Sequence, residues 1–265
     1  MLNMLYADLY KIYKSLAIRV IFGVTTICAI IMTLLAYLIP LGKVDASSSG
    51  IGFLFSDINV ISILGAVVAG AFICSDFENK SIHEAITSGT GRGTVIIGKG
   101  IAFFVAVAAI LIPYAVVAGI GMGTGKVFSM GNVGIGFLNL LTRTGDNNLD
   151  ALQILKLLVI MLTMIFVYVA QVSFCVPLAV IIRKPVFVVA CYYGFTILCA
   201  QLLGLRNSSK AFDDLFALTP YGGNHTFLTL SSSTGDIFKA IAVSAVFIVG
   251  MLSITYAVFR RAEIK

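Results

Sequence analysis

Six stretches of this chain, residues 20–39, 58–74, 101–120, 157–182, 186–204 and 240–259, contain no Asp, Glu, Lys, Arg or His. A helix needs about 17–25 apolar residues to cross a hydrocarbon core about 30 Å thick, and each stretch reaches that range. In lipid every backbone N–H and C=O must be paired within the element, which leaves only helices or a closed barrel. Barrel strands alternate polar and apolar side chains over about ten residues. These runs are continuous and about twice as long, so the expectation is an all-α membrane protein with six transmembrane helices. Composition agrees: 59% of the 265 residues are hydrophobic and 11% charged, against about 25% charged in a soluble domain. The whole chain, 1–265, reads as one transmembrane domain.

Lysines and arginines orient such a bundle. With both termini cytoplasmic, the inner side holds eleven basic residues and five acids, and the outer side seven of each. The net charge of +6 then lies entirely inside. An even number of spans agrees. The basic residues are spread along the chain without a stripe, so nothing points to nucleic acid. Before the first span, Met4, Leu5, Leu9, Ile12 and Leu16 recur near helical spacing with Asp8, Lys11 and Lys14 between them. This predicts an amphipathic helix at the membrane interface. A cleaved signal peptide fits less well, because the run before the first span contains Asp8 and no A-x-A site follows it. Pro177 predicts a kink in the long fourth span. The second span is short; extended back to Ile51 it brings Asp57 to the membrane edge. The outer loop 121–156 is rich in Gly and Asn. In the loop 205–239, the apolar stretch 211–218 is too short to cross, and reads either as an interfacial or re-entrant segment or as an ordinary loop.

Signs of chemistry are few. The spans lack the midplane ionisable groups of ion-driven carriers. Their polar residues include Tyr168, Gln171 and Gln201; Gln171 and Tyr168 are candidates for lining a substrate cavity, or for bonding across helices. His83 and His225 fall on opposite sides of the membrane and cannot share a metal. The five cysteines lack metal-site spacing. The glycine run 119–125 leaves a membrane span instead of joining a strand to a helix, so it is no dinucleotide loop. No Walker A pattern is present. Gly65 with Ala69, and Ala66 with Gly70, are small-xxx-small pairs that allow close helix approach.

Residues 75–99 between the second and third spans are the most informative. Ser81 and Glu84 form a capping-box pattern, in which the Ser81 hydroxyl accepts from the Glu84 amide and the Glu84 side chain reaches back. A short helix over 82–88 follows, closed by Gly89 at the position after its end. The residues run Asp76, Phe77, Glu78, Asn79, Lys80, Ser81, Ile82, His83, Glu84, Ala85, Ile86, Thr87, Ser88, then Gly91-Arg92 and Gly98-Lys99.

This run resembles the loop between the second and third spans of ABC-2 type exporter permeases, whose pattern is roughly E/D-F-x-N-G-T-I-K-N-x-L-S-x-P-x-S-R followed by a lysine entering the third span. The chain departs from it at Lys80, where the pattern has Gly, and at 89–91, where it has the Pro region. The six-span layout and the loops also resemble that family. The resemblance implies that Ser81, Ile82, His83, Glu84, Ala85, Ile86, Thr87, Ser88 and Arg92 couple to a separate cytoplasmic ABC ATPase, with the helix 82–88 docking in its groove. It implies no enzymatic chemistry and no cofactor here, ATP-Mg being held by the ATPase. It also implies a second permease, identical or related, and a location in the cell membrane. Permeases of this size resemble those that export antimicrobial peptides or confer immunity to them, so the substrate would be an amphipathic peptide or similar hydrophobic compound. The residues alone also allow a non-transport scaffold or sensor that binds partners through 75–99.

Overall fold

The computed structural model describes residues 2–130, 134–143, 150–204, 210–222 and 225–261. Six of its helices are long and apolar enough to cross a membrane: Leu16–Leu38, Ser49–Glu78, Arg92–Gly123, Ala151–Ile182, Pro185–Leu203 and Thr234–Arg261. The protein is a multi-pass, helical membrane protein. The second, third and fourth spans form the buried centre, while the first, fifth and sixth lie around it. The first span packs on the third, the fifth on the second and the sixth on the fourth.

Two spans are discontinuous. The second has one helical piece, Ser49–Leu54, then Ser56 in an extended conformation (φ −66°, ψ 153°), then the helix Asp57–Ala69. A break inside lipid frees backbone carbonyls that must find other donors. Asn59 donates to the Phe53 carbonyl at 2.7 Å and the Tyr114 hydroxyl donates to that of Phe55 at 2.7 Å. Further along, residues Gly70–Cys74 form a π turn. Here Gly70 lies against the ring of Pro185; a methyl added at Gly70 would come within 2.8 Å of it. Gly65 stands equally close to Val172, so two of the small residues in the sequence pattern are close-approach points. The fourth span is interrupted at Ser173 and Phe174, between Ala151–Val172 and Cys175–Ile182. Pro177 has no N–H to give Ser173 four residues earlier, and its ring crowds that carbonyl. The helix is interrupted at the position where Pro177 predicts a kink.

The N-terminal helix and the last described turn of the sixth span lie at one end of the bundle, hereafter the termini end. There Lys99 bonds Asp8, and Arg92 bonds the carbonyl of Arg260. The helix Leu2–Lys14 turns Leu5, Leu9 and Ile12 onto the core, leaving Tyr6, Tyr10 and Tyr13 exposed. At the opposite, far end the connecting segments fold inward. The helix Phe137–Arg143, within the Gly/Asn-rich loop 121–156, buries Phe137, Leu138, Leu140 and Leu141 completely or nearly so. The segment containing the helix Lys210–Phe216 also turns back into the bundle. Its Tyr221 ring packs edge-on against Phe195 and Phe247, and its His225, Thr226 and Leu228 are buried. Gly136 N–H donates to the Thr226 carbonyl at 2.7 Å, joining the two inserted segments.

Candidate functional site

The segment after the second span is held by one carboxylate. Asp76 is buried, and its Oδ1 lies 2.5 Å from Lys11 Nζ while its Oδ2 lies 2.5 Å from Lys99 Nζ. Lys99 also bonds Asp8 at 3.0 Å. Asp8, Lys99, Asp76 and Lys11 thus form a quartet that joins the N-terminal helix to the ends of the second and third spans. Opposite charges at this distance in a partly desolvated site attract strongly, and the alternating signs leave no buried charge alone. Lys11 is half exposed, so its bond is the weakest of the three.

Ser81 ties the short helix to that quartet. Its hydroxyl lies 3.1 Å from Asp76 Oδ1 and 3.2 Å from the Asp76 carbonyl. The helix spans Ser81–Thr87, one residue earlier than expected, and its N-cap is Lys80. The capping box predicted for Ser81 and Glu84 does not form. The Glu84 amide donates to the Lys80 carbonyl at 3.0 Å, as in any helix start. Ser81 is the first helical residue and not the cap, so the Glu84 N–H it would have accepted goes to the Lys80 carbonyl, and the Ser81 hydroxyl donates to Asp76 instead. A capping box does form at Asp150 and Gln153, before the fourth span.

The other end of the helix follows the sequence reading. Gly89 has φ +90°, its N–H donates to the Ile86 carbonyl and Thr90 N–H donates to that of Ala85, each at 3.0 Å. This pair of bonds is a Schellman stop, which needs a residue that tolerates left-handed φ. Lys80, at the start, is also left-handed with φ 56°. A side chain there costs about 1 kcal/mol relative to glycine.

The helix has two unlike faces. Ile82 is buried, and Ala85 and Ile86 pack against the core. His83, Glu84, Thr87 and Ser88 are exposed. The hydroxyls of Thr87 and Ser88 bond carbonyls of their own helix, so His83 and Glu84 are the open polar groups. A cleft of 220 Å³ runs beside the helix, lined by Asp76, Phe77, Glu78, Lys80, Ile82, His83 and Arg183. Arg183 closes one side, with its guanidinium 5.0 Å from the Phe77 ring centre, and Phe77 stacks edge-on against Phe259 of the sixth span. Arg92 stands apart from the exposed face. Its Nη1 donates to the Arg260 carbonyl at 2.9 Å, tying the third span to the end of the sixth.

Tyr168 and Gln171 lie near the middle of the fourth span, one helical turn apart, where the segments inserted from the far end reach it. Tyr168 is fully buried and its hydroxyl donates to Asp57. Gln171 donates to the Pro220 carbonyl at 2.8 Å, and its own carbonyl accepts the Tyr221 hydroxyl at 2.6 Å. Gln171 also borders a cavity of 140 Å³ with Asn59, Ser62, Tyr192 and Tyr221. Both residues hold inserted segments in place.

No family model, curated protein or solved structure matches this chain.

Among the described residues no cluster of His, Cys, Asp or Glu is arranged to hold a metal ion. Sequence reasoning placed Asp76 and Lys99 only as charges flanking the helix and missed the quartet. The available signal was a lone acid at the end of one apolar run and a lone lysine at the start of the next, with an acid and a lysine on a helix preceding the first span. Four opposite charges bordering lipid at one end of a bundle favour pairing.

Proposed function

We propose that this chain is the permease subunit of an ATP-driven exporter of the ABC-2 type. The helix Ser81–Thr87 is the piece that a separate ATPase grips, and the termini end is the cytoplasmic end, in the cell membrane. The observation that carries this reading is the two-faced helix: Ile82 and the Ser81–Asp76 bond lock one face to the bundle, and His83 and Glu84 stand free on the other. The Ser81–Asp76 bond connects the helix, through the Asp76 ion pairs, to the second span, the third span and the N-terminal helix. Lys80 supports the alignment with the family pattern. It holds a left-handed φ where that pattern has glycine, the residue suited to such a conformation. The N-terminal helix, with Tyr6, Tyr10, Tyr13 and Lys14 outward, rests at the inner interface.

In this reading the chain itself hydrolyses no ATP. The partner closes on nucleotide and displaces Ser81–Thr87, which shifts the population of two bundle arrangements. The cavity of 140 Å³ beside Gln171 is too small for a peptide, and the larger apolar groove of 750 Å³ between the third and fourth spans, lined by Ile112, Val116, Ile120, Leu158 and Leu162, is half open. In this reading a second permease completes the path for an amphipathic peptide or similar hydrophobic compound.

The test is isolation of the full chain from its native membrane with bound partners. A nucleotide-binding ATPase is expected to co-purify, and Glu84→Arg to release it while the thermal unfolding of the permease stays unchanged. An isolated wild-type chain with no ATP-hydrolysing partner, or a complex indifferent to both Glu84→Arg and His83→Glu, overturns the assignment.

A further inference from the structure

Asp57, at the far end of the second span, is a buried carboxyl group without a charged partner. It is 0% exposed. Its Oδ2 accepts two hydrogen bonds, from the Tyr168 hydroxyl and from Phe137 N–H at 3.0 Å. Its Oδ1 is buried and accepts none. Among the described residues no lysine, arginine or histidine forms a salt bridge with it.

Among the described residues, the titratable groups around it supply no positive charge. The fourth span offers the Tyr168 hydroxyl. The third span offers Tyr114, whose hydroxyl is bonded to the Phe55 carbonyl, and the first span offers Cys28, which neighbours Tyr114. The inserted helix Phe137–Arg143 meets Asp57 through the backbone of its first two residues, Phe137 and Leu138. In the other inserted segment His225 turns its Nε2 to the Ala217 carbonyl at 3.0 Å, and burial lowers its basicity. The site is also tightly shaped. Gly136 has φ +65°, and a methyl group there would overlap both Tyr168 Oη and Asp57 Oδ2.

An ionised Asp57 would leave one charged oxygen bare in a membrane-embedded site. The start of the helix Asp57–Ala69 favours negative charge, but only with the strength of a partial charge. The cost of a bare buried carboxylate oxygen is far larger. A proton on Oδ1 removes that charge. It leaves Oδ2 as a carbonyl oxygen, whose two lone pairs match its two donors.

We propose that Asp57 is a proton-binding site, and that its proton keeps the inserted helix Phe137–Arg143 latched against the second and fourth spans. When the far end opens, Phe137 and Tyr168 move off Oδ2 and water reaches the carboxyl. The O–H bond then breaks, its electron pair stays on Oδ1 and the proton passes to water. Resealing takes a proton back, so closure of the far end depends on the proton concentration on that side. The inference is independent of what drives the chain from the termini end.

The test uses the full chain in lipid nanodiscs. Infrared spectra of wild type and Asp57→Asn at neutral pH are compared, with 13C-labelled aspartate. A carbonyl stretch of a protonated carboxylic acid is expected in wild type and not in Asp57→Asn. Tyr168→Phe, which lacks the donor, is expected to shift that band, and so assigns it to Asp57 even where Asp57→Asn fails to fold. On alkalinisation the band should fade, and hydrogen exchange over 137–141 should rise about tenfold beyond the intrinsic rate change in wild type, while Asp57→Asn keeps its protection. A neutral-pH wild-type spectrum with only carboxylate bands overturns the proposal, whether the partner proves to be a bound cation or none. So does exchange that rises equally in Asp57→Asn.

Discussion

The second span carries an aspartate near each end, and the two are buried almost equally, Asp57 at 0% and Asp76 at 3% exposure. Their surroundings differ in kind. Asp76 faces two lysines, one of which faces a second acid. Asp57 faces a tyrosine hydroxyl and a backbone amide. The first arrangement is charged and strong, and ties three elements into a unit that moves together. The second is neutral in character and close-fitting, and can open when a few hydrogen bonds break. Burial alone therefore says little about what an intramembrane acid does; the number and sign of its partners decide.

The comparison breaks first at Asp76. Asp76→Ala leaves Lys99 largely buried with Asp8 as its one counter-charge, and removes the acceptor of Ser81. Removing one partner of a buried pair costs about 3–5 kcal/mol. The expected result is a large drop in thermal unfolding temperature in detergent. The triple variant Asp8→Asn, Asp76→Ala, Lys99→Met removes the three largely buried charges together and should recover more than half of the loss, because no buried charge is then left without a partner. If Asp76→Ala unfolds like wild type, the quartet does not hold the termini end together, and the contrast with Asp57 fails.

The far end is sharpened by a change of shape instead of charge. Gly136→Ala keeps every charge and adds one methyl where Tyr168 and Asp57 meet, at a left-handed φ. Overpacking costs about 1–3 kcal/mol, and the backbone strain about 1 more. The expected loss is about 2–4 kcal/mol, localised to the far end. Hydrogen exchange should rise over 134–141 and not over 75–99. A uniform rise would mean that the two ends unfold as one unit.

What the sequence made legible is what local rules determine. Each span is one long apolar run, and lipid leaves that run no alternative but helix. The stop at Gly89 is likewise local, because the left-handed turn and its two bonds lie within six residues. The inserted helix Phe137–Arg143 escaped for the converse reason: seven residues with four buried apolar side chains look the same in a loop as in a core. The capping box failed at Ser81 because the helix starts one residue early, at the left-handed Lys80, whose carbonyl takes the Glu84 N–H, while the Ser81 hydroxyl turns to Asp76; the pattern S-x-x-E contains neither residue. Lys11 and Asp76 are 65 residues apart in sequence, and Asp8 and Lys99 are 91 apart. Charge type and span edges placed those four at one end of the bundle; only packing placed them in contact.

The smallest expected effect is at Lys80, and it separates the strain of the connecting turn from the strength of the quartet beneath it. The residue is exposed, its φ is 56° and its side chain makes no capping bond. Lys80→Gly therefore removes only the steric cost of a side chain in a left-handed turn, against the greater freedom that glycine gives the unfolded chain. The two oppose each other, so the net change should fall between zero and about 1 kcal/mol of stabilisation. Lys80→Val, β-branched and poorly suited to positive φ, should destabilise by about 1–2 kcal/mol. Both variants leave Ser81 and Asp76 untouched, so hydrogen exchange at the quartet should stay as in wild type while the amides of 80–84 respond. Equal stability of the glycine, lysine and valine forms would mean that the turn relaxes out of its left-handed conformation. The link from Ser81–Thr87 to the bundle would then rest on Ile82 and Asp76 alone.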